Sequence, residues 1–178
     1  MKKTVLKFGL IAGGIMSALM LATIPFMHSL ANEWGMVIGY TGMTIAFLFI
    51  YFGVRSYRDQ VAGGRIGFMK ALGVGLLIGV LASSCYVLTW EIMYFRGPND
   101  FIEKYQAKEL EGMRANGATE AQLAAKQVEM DKMAAMYHNP LINSAMTFME
   151  PLPVAIVFAL ATAGIVSRRR KEQVPATA

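Results

Sequence analysis

The stretch Arg55–Trp90 sets the fold, and it reads RSYRDQVAGGRIGFMKALGVGLLIGVLASSCYVLTW. Its second part, Ala71–Trp90, carries no charged residue, and an α-helix needs about 20 such residues to cross the hydrocarbon core of a bilayer. The uncharged part predicts a transmembrane helix, and the basic part before it predicts the side of the membrane from which that helix starts. The cations of this basic loop are Arg55, Arg58, Arg65 and Lys70.

Three further runs have similar length and character: Phe8–Met27, Trp34–Val54 and Leu141–Ser167, the last interrupted by Glu150. The chain is 55% apolar and 16% charged, whereas about a quarter of the residues in soluble domains are charged. The runs do not alternate apolar and polar residues as strands of a β-barrel do. We predict an all-α fold, a four-transmembrane-helix bundle in one membrane domain, with spans at about 7–27, 34–54, 67–95 and 143–167.

Lysine and arginine cluster beside the runs, but the link 28–33 contains neither. An even number of spans puts these clusters on one side, and cations beside spans stay in the cytoplasm. We therefore expect a multi-pass protein of the cell (inner) membrane with cytoplasmic N- and C-termini. The net charge of +5 then reflects topology rather than binding of nucleic acid. Besides the basic loop, the clusters are Lys2, Lys3 and Lys7 at the start, and Arg168, Arg169, Arg170 and Lys171 in a basic tail.

The basic loop has two compatible interpretations. Its cations fix the topology, and each one near an anionic surface also adds about 1 kcal/mol of attraction. The bilayer and its anionic phospholipids are therefore expected partners. Aromatic residues indicate the same boundaries, with Trp34, Trp90 and Tyr94 at the outer interface and Tyr51 and Tyr57 at the inner one.

The N-terminal run resembles a secretory signal, because two lysines precede it and Ser29-Leu30-Ala31 follows it. Its apolar stretch exceeds the usual core of about 7–15 residues. We expect the first span to be retained; cleavage after Ala31 would leave three spans. Cys85 is the only cysteine, so an internal disulfide is excluded.

The polar segment 96–142 is predicted to lie outside, between the third and fourth spans. Capping boxes at Asp100 with Glu103 and at Thr119 with Gln122 indicate two helix starts. Asn116-Gly117 predicts the turn between them. We expect an external helical hairpin with helices at about 100–115 and 119–137.

A ridge of small residues recurs every four positions along the third run. In lipid such ridges let helix backbones approach closely. The pattern leaves open whether the ridge faces another span of the chain or a second copy in a homo-oligomer. Its members are Gly67, Ala71, Gly75, Gly79 and Ser83.

Glu91 and Glu150 are acids in or beside spans, where charge is costly. Counting from Lys70 and from Arg168 puts both at the outer interface, at about 1.5 Å per residue. The predicted outer layer contains Glu91, Glu150, His28 and Arg96. It is a candidate cation, proton or ligand site, but solvation by headgroup water or pairing with Arg96 is the simpler interpretation. Pro151 disfavours a helical Glu150, which predicts that the fourth span starts or kinks there.

Met130, Met133, Met136 and His138 form a weak candidate for a soft metal such as Cu(I). We favour the alternative that methionines spaced by three fill an apolar helix face. The chain contains no Walker motif, no H-E-x-x-H and no cysteine pair. We expect no cofactor, no resident metal and no catalytic residue.

The stretch YFGVRSYRDQVAGGRIGFMKALGVG, with YHNP and EPLP further on, resembles domain-of-unknown-function family 4199. That family consists of uncharacterised bacterial integral membrane proteins. The resemblance extends over nearly the whole chain and is most specific in the basic loop. It implies an integral membrane protein and assigns no activity or site residue.

Three functions compete. The first is a non-enzymatic accessory or scaffold protein whose external hairpin meets a membrane-protein partner. The alternative is a small oligomeric transporter or channel component using Glu91 and Glu150. The third is a membrane enzyme with one of these acids as a general base. The absence of any catalytic constellation favours the first, and we expect that the protein is not an enzyme.

Overall fold

The computed structural model describes residues 1–23, 32–97 and 101–168, excluding the side chains of 32–36 and 101–102. His28, the helix start at Asp100 and the tail residues after Arg168 lie outside the described residues. Within them the only regular secondary structure is α-helix, and there is no strand. The helices are α1 (Lys2–Thr23), α2 (Asn32–Gln60), α3 (Phe68–Arg96), α4 (Phe101–Ala115), α5 (Glu120–Tyr137), α6 (Pro140–Phe148) and α7 (Pro151–Val166).

Four helical segments are long and apolar enough to cross a membrane. They are Lys2–Thr23, Val37–Gln60, Phe68–Arg96 and Pro140–Val166, the last formed by α6 and α7 together. The prediction of an all-α fold with four candidate spans is confirmed. The helical pair α4–α5 lies between the third and fourth of them, as predicted.

Helices α2 and α3 occupy the middle of the assembly. Helix α3 packs against α1, α2, α6 and α7, and α2 packs against α1, α3 and α7. The core between them contains Phe47, Ile50 and Val54 of α2 and Val74 and Ile78 of α3. Tyr57, predicted for the lipid interface, is only 5% exposed and belongs to this core.

The ridge on α3 packs within the chain, against α7. A Cβ on Gly79 would lie 2.9 Å from the Cβ of Ala155, and one on Gly75 would lie 3.2 Å from that of Ala159. A side chain at Gly79 would force its neighbour to shift, and one at Gly75 would require a movement of a few tenths of an ångström, so both glycines allow a close approach of the two helices. Gly67 differs: it is the N-cap of α3, and a Cβ there would meet nothing within 4 Å.

The close contacts also fix helix direction. Gly9 and Gly13 of α1 face Leu81 and Cys85 of α3, so α1 and α3 run parallel. The contacts of Gly75 and Gly79 make α7 antiparallel to α3. The start of α1, the α2–α3 link and the end of α7 therefore share one end of the assembly, together with the described cations of all three clusters.

The α2–α3 link is a tight glycine turn. Gly63 and Gly64 have φ of +66° and +84°, and the Gly64 N–H donates to the Arg58 carbonyl at 2.9 Å. This left-handed pair ends α2 and reverses the chain. Arg58 Nε lies 2.7 Å and Arg55 Nε 3.8 Å from the Asp59 carboxylate. Asp59 therefore balances part of the charge in the basic loop.

The hairpin α4–α5 turns at Gly117, which has φ of +82°. The capping box predicted at α5 is present: the Gln122 N–H donates to Thr119 Oγ1 at 3.3 Å, and the Thr119 N–H donates to Gln122 Oε1 at 2.8 Å. Helix α5 packs on α4 and on α6, with Leu123 and Met130 buried. The hairpin is thus connected to the spans through α6.

The fourth span is broken at Met149 and Glu150, between α6 and α7. The break was predicted, but the expected conformation of Glu150 was wrong: its φ of −77° and ψ of −59° are helical. The cause of the break is therefore loss of donors. Pro151 and Pro153 lack the N–H groups that would continue the helical hydrogen bonds across this point.

Candidate functional site

The C-terminal part of α3 and the segment from α6 to Glu150 are joined by side-chain hydrogen bonds, which we call the polar seam. Tyr86, Trp90 and Glu91 of α3 contribute, and Asn143, Ser144 and Glu150 lie opposite. The order is antiparallel, so the seam continues the register in which α7 packs on α3. Side-chain hydrogen bonds join α3 to α6, whereas close glycine contacts join α3 to α7.

Asn143 is the centre of the seam and is 0% exposed. Its Oδ1 accepts from Trp90 Nε1 at 2.9 Å and from Thr147 Oγ1 at 3.2 Å. Its Nδ2 donates to the Tyr137 carbonyl at 3.1 Å, which ties the end of α5 to α6. A buried amide is stable only with such partners, so Asn143 fixes how three helices meet.

The two acids bind different hydroxyl groups. Glu91 is half-buried and accepts from Ser144 Oγ at 3.0 Å. Glu150 is exposed and accepts from the Tyr86 hydroxyl at 3.0 Å. Along α3, Tyr86 precedes Glu91 by about 7.5 Å, at about 1.5 Å per residue. The two acids, predicted to share one layer, therefore form their hydrogen bonds at two levels of α3.

Neither acid forms an ion pair in the described part of the chain. No described lysine, arginine or histidine nitrogen lies within 4.0 Å of the carboxylate of Glu91 or Glu150. Arg96, expected to pair with them, is exposed at the end of α3. His28, the fourth member of the predicted layer, lies outside the described residues.

An aromatic cluster adjoins Glu91, with Tyr94 at its centre. The ring centroid of Tyr94 lies 6.0 Å from that of Trp90, 6.2 Å from that of Tyr137 and 6.3 Å from that of His138. The Tyr94 hydroxyl is buried and has no hydrogen-bond partner among the described residues. Burial raises the pKa of Tyr137, and the Glu150 carboxylate raises it further. Tyr137 is thus the member of the cluster on which the charge of Glu150 acts.

The weak metal candidate on α5 is split between two environments. Met130 is 7% exposed, whereas Met133 and Met136 are each 43% exposed. His138 follows α5 and contacts Tyr94 by its ring. The described residues contain no group of three or more histidine, cysteine, aspartate or glutamate side chains arranged to hold a metal ion.

Sequence reasoning missed most of the polar seam. It singled out the acids by charge and overlooked Asn143 and Thr147, which stand four residues apart in a run without charged residues. Tyr86 and Trp90 show the same spacing on α3. Polar residues four apart in a span share one helix face, and that signal indicates where two spans meet through hydrogen bonds.

The comparisons with known proteins give a family and no activity. No curated protein and no solved structure matches the chain. A family model described as "Protein of unknown function (DUF4199)" matches residues 7–168, which include the basic loop, the polar seam and the hairpin. The match extends over most of the chain, which therefore belongs to the DUF4199 family.

Proposed function

We propose that this protein is a non-enzymatic accessory or scaffold of the cell (inner) membrane, with cytoplasmic termini and the hairpin α4–α5 on the outer face. The clustering of described cations at one end of the assembly supports this orientation, because lysine and arginine beside spans stay in the cytoplasm. The hairpin connects to the opposite end through α6, which supports an external position for it.

The bonding of the acids supports a structural role over catalysis. Ser144 engages Glu91 and Tyr86 engages Glu150, so each carboxylate joins α3 to the fourth span. A general base also has to reach a proton on its substrate. In the structure, Glu91 and Glu150 accept hydrogen bonds from hydroxyl groups of the polar seam instead.

The hairpin carries the proposal, since it presents apolar side chains away from the spans. Val128 of α5 is 53% exposed, and Tyr105 of α4 is 50% exposed. Exposed apolar side chains beyond the membrane are typical of surfaces that meet another protein. The capping box and the Asn143 link hold α5 in place, which reduces the entropy cost of docking.

Site-specific photocrosslinking in native membranes tests the proposal. We would place a benzophenone side chain at Val128, and as the control at Leu160, an exposed residue of α7 within the candidate span. The proposal predicts a discrete protein adduct from Val128 and none of that mass from Leu160. Absence of a protein adduct from Val128, Tyr105 and Met136 would contradict it.

An oligomeric transporter or channel component is the second candidate. One observation favours it: Glu91 and Glu150 lie within candidate spans and pair with no described cation. Such acids mark ion pathways in membrane proteins. Glu91→Gln and Glu150→Gln in proteoliposomes test this, because a carrier that uses the acids loses flux. Flux of the parent chain equal to that of empty liposomes would exclude it.

A further inference from the structure

Glu150 lies near the middle depth of the candidate spans. Its carboxylate accepts a hydrogen bond from the Tyr86 hydroxyl at 3.0 Å, so the level of Tyr86 on α3 indicates its depth. Arg96, the last residue of α3, follows Tyr86 by ten residues, which is about 15 Å at about 1.5 Å per residue. This is half of the hydrocarbon core of a bilayer, which is about 30 Å thick.

The end of the assembly that carries the basic loop gives the same depth from the opposite side. Gly9 of α1 packs against Leu81 of the parallel helix α3. Lys3 precedes Gly9 by six residues, so Lys3 is level with position 75 of α3. Tyr86 lies eleven residues above that level, or about 16 Å.

This depth differs from the outer interface predicted for Glu150, and the end of the fourth span explains the difference. Ala159 packs against Gly75, and Arg168 follows Ala159 by nine residues, or about 13.5 Å. The fourth span therefore extends well beyond the level of Lys3. Counting from Arg168 alone includes this extension, so it moves Glu150 too far toward the outer side.

The chain itself does not neutralise Glu150 within its described residues. Glu150 is exposed on the surface of the assembly, and no described lysine, arginine or histidine nitrogen lies within 4.0 Å of its carboxylate. The bond from Tyr86 uses one of the about four hydrogen bonds that a carboxylate can accept. An acid at this depth is costly in lipid, and ionisable residues within spans commonly pair with another charged group. Charge complementarity therefore favours a cation from another molecule.

The surface around Glu150 suits an apolar helix as the carrier of that cation. Met149 is 74% exposed, and Val157 is 63% exposed two turns further along the fourth span. Pro153 lacks the N–H that a continuous helix would direct at the Met149 carbonyl, which leaves a second acceptor without its usual donor. A lysine or arginine side chain supplies several N–H donors together with the positive charge.

We propose that Glu150 is the docking point for a transmembrane helix of another membrane protein, one that carries a lysine or arginine near the middle of its span. The cation pairs with the Glu150 carboxylate, and the partner helix packs on the exposed side chains of Met149 and Val157. Each charge then has its counter-charge within the membrane, where a lone charge is costly. This surface lies within the spans and is separate from the hairpin α4–α5.

Designed peptides in lipid vesicles test the proposal directly. We would label the full-length chain in the hairpin turn, at Asn116→Cys combined with Cys85→Ala, and reconstitute it in phosphatidylcholine. The probe is a fluorescent helix of about 20 leucine and alanine residues with one lysine at its centre, one lysine at its end, or none. Energy transfer should show at least about tenfold tighter apparent binding of the central-lysine peptide than of the other two. Equal binding of all three peptides would overturn the proposal.

Two variants of Glu150 separate its charge from its hydrogen bond. Glu150→Gln keeps an acceptor for the Tyr86 hydroxyl but removes the charge, so we expect the preference for the central lysine to disappear. Glu150→Lys should instead prefer a peptide with a central glutamate. Glu103→Gln, an exposed acid on α4, is the control and should bind as the parent does. A preference that persists in Glu150→Gln, or that Glu103→Gln removes, would contradict the proposal.

Energy transfer between differently labelled copies of the chain examines a second copy as the occupant. We expect Glu150→Gln to leave the transfer between copies unchanged in the same vesicles. A decrease caused by Glu150→Gln would overturn the proposal, because a second copy would then cover the carboxylate. Neither measurement involves the partner proposed for the hairpin, so the two proposals can fail independently.

Discussion

The two halves of α3 meet the fourth span by different means. In the N-terminal half of α3, Gly75 and Gly79 bring the backbones of α3 and α7 together over Ala159 and Ala155. In the C-terminal half, Trp90 and its neighbours hold α6 and Glu150 by hydrogen bonds. Lipid gives apolar side chains no advantage in burial between helices, so close approach and polar bonds are the remaining means of adhesion.

The difference indicates how the molecule divides its tasks. An atom added at Gly79 would force its neighbour to shift, so the close glycine packing restricts how these helices can be arranged. Each hydrogen bond between side chains of membrane-spanning helices contributes only about 0.6 kcal/mol of stability on average. The prolines at the break let α6 follow its own course and connect to the hairpin. The closely packed half holds the spans together, and the polar half positions the hairpin α4–α5.

The largest effect is expected from filling the glycine contact. Gly79→Leu should destabilise the fold by about 3 kcal/mol or more, because its Cβ alone would lie 2.9 Å from Ala155. Gly73→Leu is the control on the same helix, since a Cβ at Gly73 meets nothing within 4 Å. Thermal unfolding in mild detergent measures both. Equal loss in the two variants would contradict this account, because Gly73→Leu meets no neighbour and leucine has a higher helix propensity than glycine.

A smaller loss is expected from the centre of the polar seam. Asn143→Ala removes the partner of Trp90, Thr147 and the Tyr137 carbonyl, and unsatisfied buried groups cost about 1–3 kcal/mol. We expect destabilisation of about 2 kcal/mol and a shift in Trp90 fluorescence. Asn116→Ala, in the exposed hairpin turn, should change neither. A stability like that of the parent would refute the central role of Asn143.

Removing one hydrogen bond at the edge of the seam should cost less still. Ser144→Ala deletes the donor to Glu91, and we expect a loss of about 0.6 kcal/mol. Ser84→Ala is the matched control, because Ser84 Oγ donates to the Val80 carbonyl of its own helix. Chemical unfolding of both variants makes the comparison. A greater loss of stability for Ser84→Ala would contradict the prediction that a hydrogen bond between two helices stabilises the fold more than one within a single helix.

The smallest effect concerns alkaline pH. Burial, the Glu150 charge and Tyr105 raise the pKa of Tyr137 above its usual 10.0. Folding therefore favours the protonated phenol. The stabilisation is complete below pH 10 and is lost as pH rises through the folded-state pKa. Tyr137→Phe should flatten the decline of melting temperature in this alkaline range. An unchanged slope would mean that other groups cause the decline.

The sequence predicts the spans and the hairpin well, because each depends on local properties. Uncharged length identifies Ala71–Trp90, and the capping box identifies the start of α5. The partner of the α3 ridge could not be predicted, since Gly75 and Gly79 would suit a second copy equally well. The seam was missed for a related reason: Asn143 and Trp90 become bonding partners only once the register of α3 and α6 is known.

Labelling of single cysteines in intact cells tests the central claim, that the basic end is cytoplasmic and the hairpin is external. Cys85→Ala removes the native thiol, and Asn116→Cys and Ala62→Cys place new ones in the hairpin turn and the α2–α3 link. A membrane-impermeant maleimide should label the thiol at position 116 in intact cells and the thiol at position 62 only after lysis. Labelling at 62 but not at 116 before lysis would contradict the account.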